Sequence, residues 1–67
     1  MLLMNHTQQI TTQLNLRPEQ VTATIELLDA GNTLPFIARY RKGVTGGLDE
    51  EQLRLLSSLL DRLRALD

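Results

Sequence analysis

Between Leu53 and Leu66 the chain carries seven leucines, at positions 53, 55, 56, 59, 60, 63 and 66. At about 100° per residue they fall on one helical arc of roughly 160°, and Arg54, Ser57, Ser58, Asp61, Arg62 and Arg64 fill the rest. A stripe that faces a single core needs little more than about 100°, so this helix has apolar surface for two neighbours. Its start is marked by Asp49 as a cap, Glu50 and Glu51 in the first turn, and Gln52 three residues after the cap. Leu48 and Leu53 bracket that start as a hydrophobic staple. The chain reaches Asp67 still in helical register and without a stop signal. This predicts that the helix continues, and that residues 1–67 are a single helical domain forming the N-terminal fragment of a longer multidomain protein.

Helical spacing extends through the rest of the 67 residues. From Met4 to Leu14, Leu3, Ile10 and Leu14 lie near one line, a narrow stripe suited to light docking. Pro18 fits the first turn of a second helix, with Leu16 and Val21 as its staple. Val21, Thr24, Ile25, Leu27 and Leu28 form the apolar face of that helix, and Gly31 follows as a left-handed cap. A third, short helix runs from Leu34 to Lys42. Thr33 caps it, Pro35 sits in its first turn, Phe36, Ile37 and Tyr40 share one side, and Gly43 stops it. The expected fold is all-α, a small bundle of four helices near 4–14, 18–30, 34–42 and 49–67, with a long Leu-rich last helix. Its expected core is Ile10, Leu14, Val21, Ile25, Leu28, Phe36, Ile37, Leu53, Leu56, Leu60 and Leu63.

Composition excludes several classes. A domain this short buries only about 60% of the surface of its unfolded chain, so it is marginal alone. There is no cysteine, which rules out disulfides and thiolate metal sites. The formal net charge is −1, whereas autonomous nucleic-acid modules are usually clearly basic. No apolar run is long enough for a membrane span, and the first ten residues lack the pattern of a secretory signal. The expected location is the cytoplasm.

The densest cluster of positive charge is Arg39, Arg41 and Lys42, soon after the apolar knot Leu34-Pro35-Phe36-Ile37. As a functional site these cations would neutralise phosphates of RNA or DNA. As structure they would complement the helix dipole and pair with Asp49, Glu50 and Glu51. A helix-turn-helix is compatible with the short turn through Gly31. However, the first turn of the would-be recognition helix is apolar, which suits a core better than base edges. The run Gly43-Val44-Thr45-Gly46-Gly47 lacks the Lys-Ser/Thr of a P-loop and precedes three carboxylates that would repel phosphate, so it reads as a sharp connection. His6 has no second ligand nearby in sequence, and Ser57 and Ser58 have no base. Neither catalytic residues nor a metal or cofactor is expected.

The stretch LLDAGNTLPFIARYRKGVTGGLDEEQLR, Leu27 to Arg54, closely resembles the N-terminal region of the Tex family, as does RPEQV at Arg17 to Val21. These are bacterial transcription-accessory proteins with eukaryotic relatives. Two departures are visible: Gly43 where the family usually has an acidic residue, and Leu34 where valine is frequent. The resemblance implies a much longer parent, with an RNase H-like domain, helix-hairpin-helix elements and a C-terminal RNA-binding domain that carries most nucleic-acid binding. It implies the process, transcription, more firmly than a job for these residues; the function expected of them is a non-catalytic scaffold and interaction module that packs on downstream domains through the last helix. The alternative is a module that touches RNA or DNA phosphates itself through Arg39, Arg41 and Lys42. Leu55, Leu59 and Leu66 are the expected interface, covered by downstream helices in the parent and by a second copy in the isolated fragment.

Overall fold

The computed structural model describes residues 6–66. Among these residues the chain forms four helices and no strand: α1 (His6–Leu14), α2 (Pro18–Asp29), α3 (Leu34–Tyr40) and α4 (Glu50–Leu66). The all-α expectation holds. The expected first turn of α1 at Met4, the place of Leu3 in its stripe, and Asp67 lie outside the described residues.

Each helix boundary has a local cause. α1 ends where Asn15 takes a left-handed backbone (φ 58), and the Leu16 N–H then reaches back to the Thr11 carbonyl. Asparagine is one of the few side chains that tolerate this conformation. α2 begins at Pro18, and the Gln20 side chain accepts from the Arg17 N–H. A guanidinium has no acceptor, so only this arm of a capping box is made. α2 ends in a Schellman motif: Gly31 (φ 97) donates to Leu28 O, and Asn32 donates to Leu27 O. The Asn32 side chain adds a second bond to the same Leu27 carbonyl, at 2.8 Å.

Thr33 caps α3 by accepting from Phe36 N–H. The helix stops at Tyr40, two residues before the expected end, so Gly43 is not the residue that stops it. The backbone has already left the helical region at Arg41 (φ −121, ψ 24). The carbonyls freed there are taken up by the following turn: Val44 and Thr45 N–H bond Arg41 O, and Gly47 N–H bonds Lys42 O. α4 opens with a complete capping box. Asp49 accepts from Gln52 N–H at 2.8 Å, and Gln52 accepts from Asp49 N–H at 3.1 Å.

α1, α2 and α3 all pack on α4, and α1 also packs on α2. The core is Ile10, Val21, Ile37, Leu48, Leu53, Leu56 and Leu60, each at most 2% exposed. Leu14, Ile25, Leu28 and Leu63 are half-buried against it, as are Leu16 and Leu27. Both expected staples contribute to this core: Leu48, Leu53 and Val21 are members of it, and Leu16 packs against it.

One expected core residue is not there. Phe36 is 37% exposed. The face that α3 buries is Leu34, Ile37 and Ala38, spaced i, i+3, i+4. Phe36 lies roughly 100° from Ile37 around the helix, on the outward flank with Tyr40.

Two buried threonines complete the interior. Thr24 bonds its own helix at Gln20 O (2.8 Å), and Thr45 bonds Lys42 O (3.2 Å). The Gln20 amide then reaches across to Thr45 O and Gly46 O, tying the start of α2 to the α3–α4 connection.

Candidate interaction surfaces on α3 and α4

The outward flank of α3 is built from a conflict of periods. Leu34, Ile37 and Ala38 fix which face turns inward, and this forces the large rings at 36 and 40 to the surface. The Phe36 and Tyr40 ring centroids are 5.1 Å apart with planes inclined by 46°. Each ring carries a guanidinium: Arg41 lies 5.3 Å from the centroid of Phe36, and Arg39 lies 5.9 Å from that of Tyr40. Contacts of this kind contribute about 0.5–1 kcal/mol each at exposed sites, enough to bias the side chains toward this order. The four side chains are linked in the order Arg41, Phe36, Tyr40 and Arg39, two rings flanked by cations. Tyr40 is 60% exposed, so its ring is available from solvent.

Beside this row lies an open concavity of about 810 Å³, lined by residues that include Phe36, Arg39, Tyr40, Lys42 and Glu50. The structure thus brings Arg39, Arg41 and Lys42 to the same end of the domain. They do not make the ion pairs with Asp49, Glu50 and Glu51 that a purely structural role would use. Asp49 is taken by its cap, and Glu50 pairs with Arg54 at 3.5 Å. Among the described residues, neither ion pair between side chains involves Arg39, Arg41 or Lys42.

The second surface is the flank of α4. Leu55 is 53% exposed and Leu66 is 77% exposed, whereas Leu59 between them is half-buried against the core. The open strip is therefore narrower in its middle than the sequence suggests. Leu55 borders a small concavity with Leu14, Leu16 and Gln52. Around α4, Leu55 and Leu66 lie roughly 140–160° from Glu50, which borders the aromatic row, so the two surfaces sit on nearly opposite sides of the helix.

Near the C-terminal end of α4, Arg64 makes two parallel 2.9 Å bonds to Asp29 at the end of α2. These bonds hold the Asp29 carboxyl below the usual carboxylate range. Sequence reasoning missed this pair, which spans 35 positions, and it also missed Gln20 as a tie to the loop. The adjacency of Phe36 and Tyr40 at i, i+4, interleaved with arginines, was the signal for the aromatic row. His6 opens α1, far in sequence from any carboxylate cluster, and no group of three metal-ligating side chains occurs among the described residues. No helix among them is long and apolar enough to cross a membrane.

Comparison with known proteins places the domain. Residues 4–67 match the family described as Tex-like protein N-terminal domain. The chain is 59% identical to protein YhgF of Escherichia coli over 58 residues, covering 87% of this chain and 8% of that protein. It is 53% identical to the transcriptional accessory protein Tex of Neisseria gonorrhoeae over 64 residues, covering 96% of this chain and 8% of that one. It is also 41% identical to the S1 RNA-binding domain-containing protein 1 of Pongo abelii over 59 residues, covering 88% of this chain and 6% of that protein. The chain thus spans less than a tenth of the length of these relatives. With a family match over nearly its whole length and helical architecture to go with it, this chain belongs to the Tex-like family, as its N-terminal domain.

Proposed function

We propose that the domain is a non-catalytic scaffold module of a transcription-accessory protein, and that it docks on later parts of its parent through the Leu55–Leu59–Leu66 flank of α4. The observation that carries this reading is the exposure of Leu55 and Leu66 on one flank of a helix whose other face is already core. Burying a leucine contributes roughly 1.5–3 kcal/mol, so two on one strip favour a covering partner. The relatives are more than ten times longer than the matched region, which supports a partner later in the same parent chain. In the isolated domain the same strip would pair two copies about a two-fold axis.

The test is sedimentation of the domain alone and together with the remainder of the parent. Self-association that disappears when the remainder is added, and that is lost in Leu55→Glu, is the expected result. A domain that stays monomeric at high micromolar concentration and does not bind the remainder would overturn the reading.

A second reading is favoured by the missing ion pairs at Arg39, Arg41 and Lys42. In it these three cations contact nucleic-acid phosphates directly, on the side of α4 away from the docking strip. One named relative carries the words S1 RNA-binding domain, which makes nucleic acid the natural charged partner for a member of this family.

A further inference from the structure

We infer that the outward flank of α3 is a stacking platform for the bases of a single-stranded nucleic acid, with Tyr40 as the primary stacking ring, Phe36 behind it, and Arg39, Arg41 and Lys42 tracking the backbone. The inference rests on the second reading above for its charges and goes beyond it in assigning the ligand's strandedness and the aromatic contacts.

The geometry supports a single strand over the other anionic partners. A strand with unstacked bases presents flat π-faces at intervals along a chain of phosphates. Proteins that bind such strands combine exposed rings with cations that follow the backbone. The end of α3 and the turn after it have both between Phe36 and Lys42. Its rings lie 5.1 Å apart, and a guanidinium sits 5.9 Å from Tyr40 and 5.3 Å from Phe36. Guanidinium planes themselves accept a stacked base, so a base arriving at either end of the row meets a flat, positively charged surface.

A duplex fits poorly. Its base faces are covered by their own stacking, and reading its groove would need polar groups at the start of α3, where Leu34 and Pro35 stand instead. An acidic peptide would satisfy the cations but would leave the 60%-exposed Tyr40 ring without a function. Glu50 borders the concavity, and its pairing with Arg54 offsets the charge that would otherwise repel a phosphate.

The chain has one tyrosine and no tryptophan, so its intrinsic emission reports on the Tyr40 ring alone. The experiment titrates the 67-residue chain with short oligouridylate and oligothymidylate, the corresponding duplexes, and polyglutamate. It reads tyrosine emission and the anisotropy of a labelled oligonucleotide at two salt concentrations, with circular dichroism to verify that each variant stays helical. The expected result is saturable quenching by the single strands and clearly weaker binding of duplex. The log–log salt slope should be about −2, as for three cations on a single strand. Tyr40→Leu should weaken binding by roughly 5- to 150-fold, the range for loss of one stacked base, and Tyr40→Phe should retain it. Replacing Arg39, Arg41 and Lys42 together with Ala should flatten the slope.

Salt-dependent binding that is unchanged in Tyr40→Leu and does not quench the emission would leave the phosphate contacts standing and overturn the platform. No binding at low salt by the folded chain would overturn both. Equal binding of duplex would overturn the platform, and equal quenching by polyglutamate would reassign the surface to an acidic protein partner. Parallel responses to oligouridylate and oligothymidylate would mean that the site reads base faces irrespective of sugar.

Discussion

Arg64 grips Asp29 with both arms of its guanidinium, and the two bonds, each 2.9 Å, join the last turn of α4 to the last turn of α2. The bidentate geometry gives the pair more definition than an ordinary surface contact, although both side chains remain about half exposed. The bonds from Arg64 hold the Asp29 carboxyl below its ordinary value. A depressed carboxylate contributes stability that is fully present above its unfolded value of about 3.9 and is lost as pH falls through its folded value. Thermal midpoints of the native chain and Asp29→Ala should therefore differ modestly at neutral pH. The gap should close once the pH is well below the carboxylate range. A gap that is constant with pH would mean that the pair is not what distinguishes them.

The connection after α3 offers a matched pair of glycines. Gly46 has φ +74, and a Cβ built there would come within 2.7 Å of the Gln20 amide nitrogen, whereas Gly43 has open space around it and no left-handed backbone. Gly46→Ala should cost about 1–2 kcal/mol for the backbone alone, with a further loss from the displaced Gln20 bonds. Gly43→Ala should be near neutral. Urea unfolding of the two variants checks this contrast. Equal midpoints would show that neither the left-handed backbone at Gly46 nor the Gln20 tie contributes to stability.

Leu55 and Leu56 are neighbours in sequence with opposite surroundings, since one is 53% exposed and the other fully buried. Leu56→Ala should destabilise by about 2–5 kcal/mol, enough to unfold a small domain, because the cavity it leaves is walled by the other core leucines. Leu55→Ala should change stability by less than about 0.5 kcal/mol. Circular dichroism at a single moderate temperature separates the two outcomes.

Asp49→Ala should cost about 1 kcal/mol, because it removes the acceptor for the Gln52 N–H and breaks one arm of the box that starts α4. Asp49→Asn should recover most of it, since the amide oxygen still accepts. A loss in Asn equal to that in Ala, measured by chemical unfolding, would point to charge on the helix end rather than to the hydrogen bond.

What the sequence made legible was mostly local. Thr33 and Asp49 as caps, Pro18 at a helix start, Gly31 as a left-handed terminus and the Leu53–Leu56–Leu60 stripe all depend on residues within one or two turns of each other, and each appears in the structure as read. The misreadings share a different physical origin. Phe36 was assigned inward because it is large and apolar, yet over only seven helical residues the position of α3 on α4 decides which face is buried, and Leu34 with Ile37 and Ala38 took that place. Gly43 was read as a stop, but the backbone leaves the helical region two residues earlier, at Arg41, and the carbonyls freed there are bonded within the following turn. Thr45 is buried because Gln20 draws its loop inward, a bond across 25 positions, and no local pattern announces such a bond. For the surfaces, the residues of both were visible in sequence. The row of rings and guanidiniums was not, because it needed Phe36 to turn outward.

α1, α2 and α3 all rest on α4, the last of these four helices to leave the ribosome. During synthesis the chain therefore spends its first fifty or so residues with stripes such as Ile10, Val21 and Ile37 lacking their shared wall. None of the three helices is long enough to persist alone in water. Structure should thus arrive late and together, when the leucines from Leu53 onward become available, and a nascent chain stalled before Leu60 should remain open to proteases along its whole length. The position of α4 after the other three makes the domain's order in time the reverse of its order in sequence: the fourth helix is the one the others wait for.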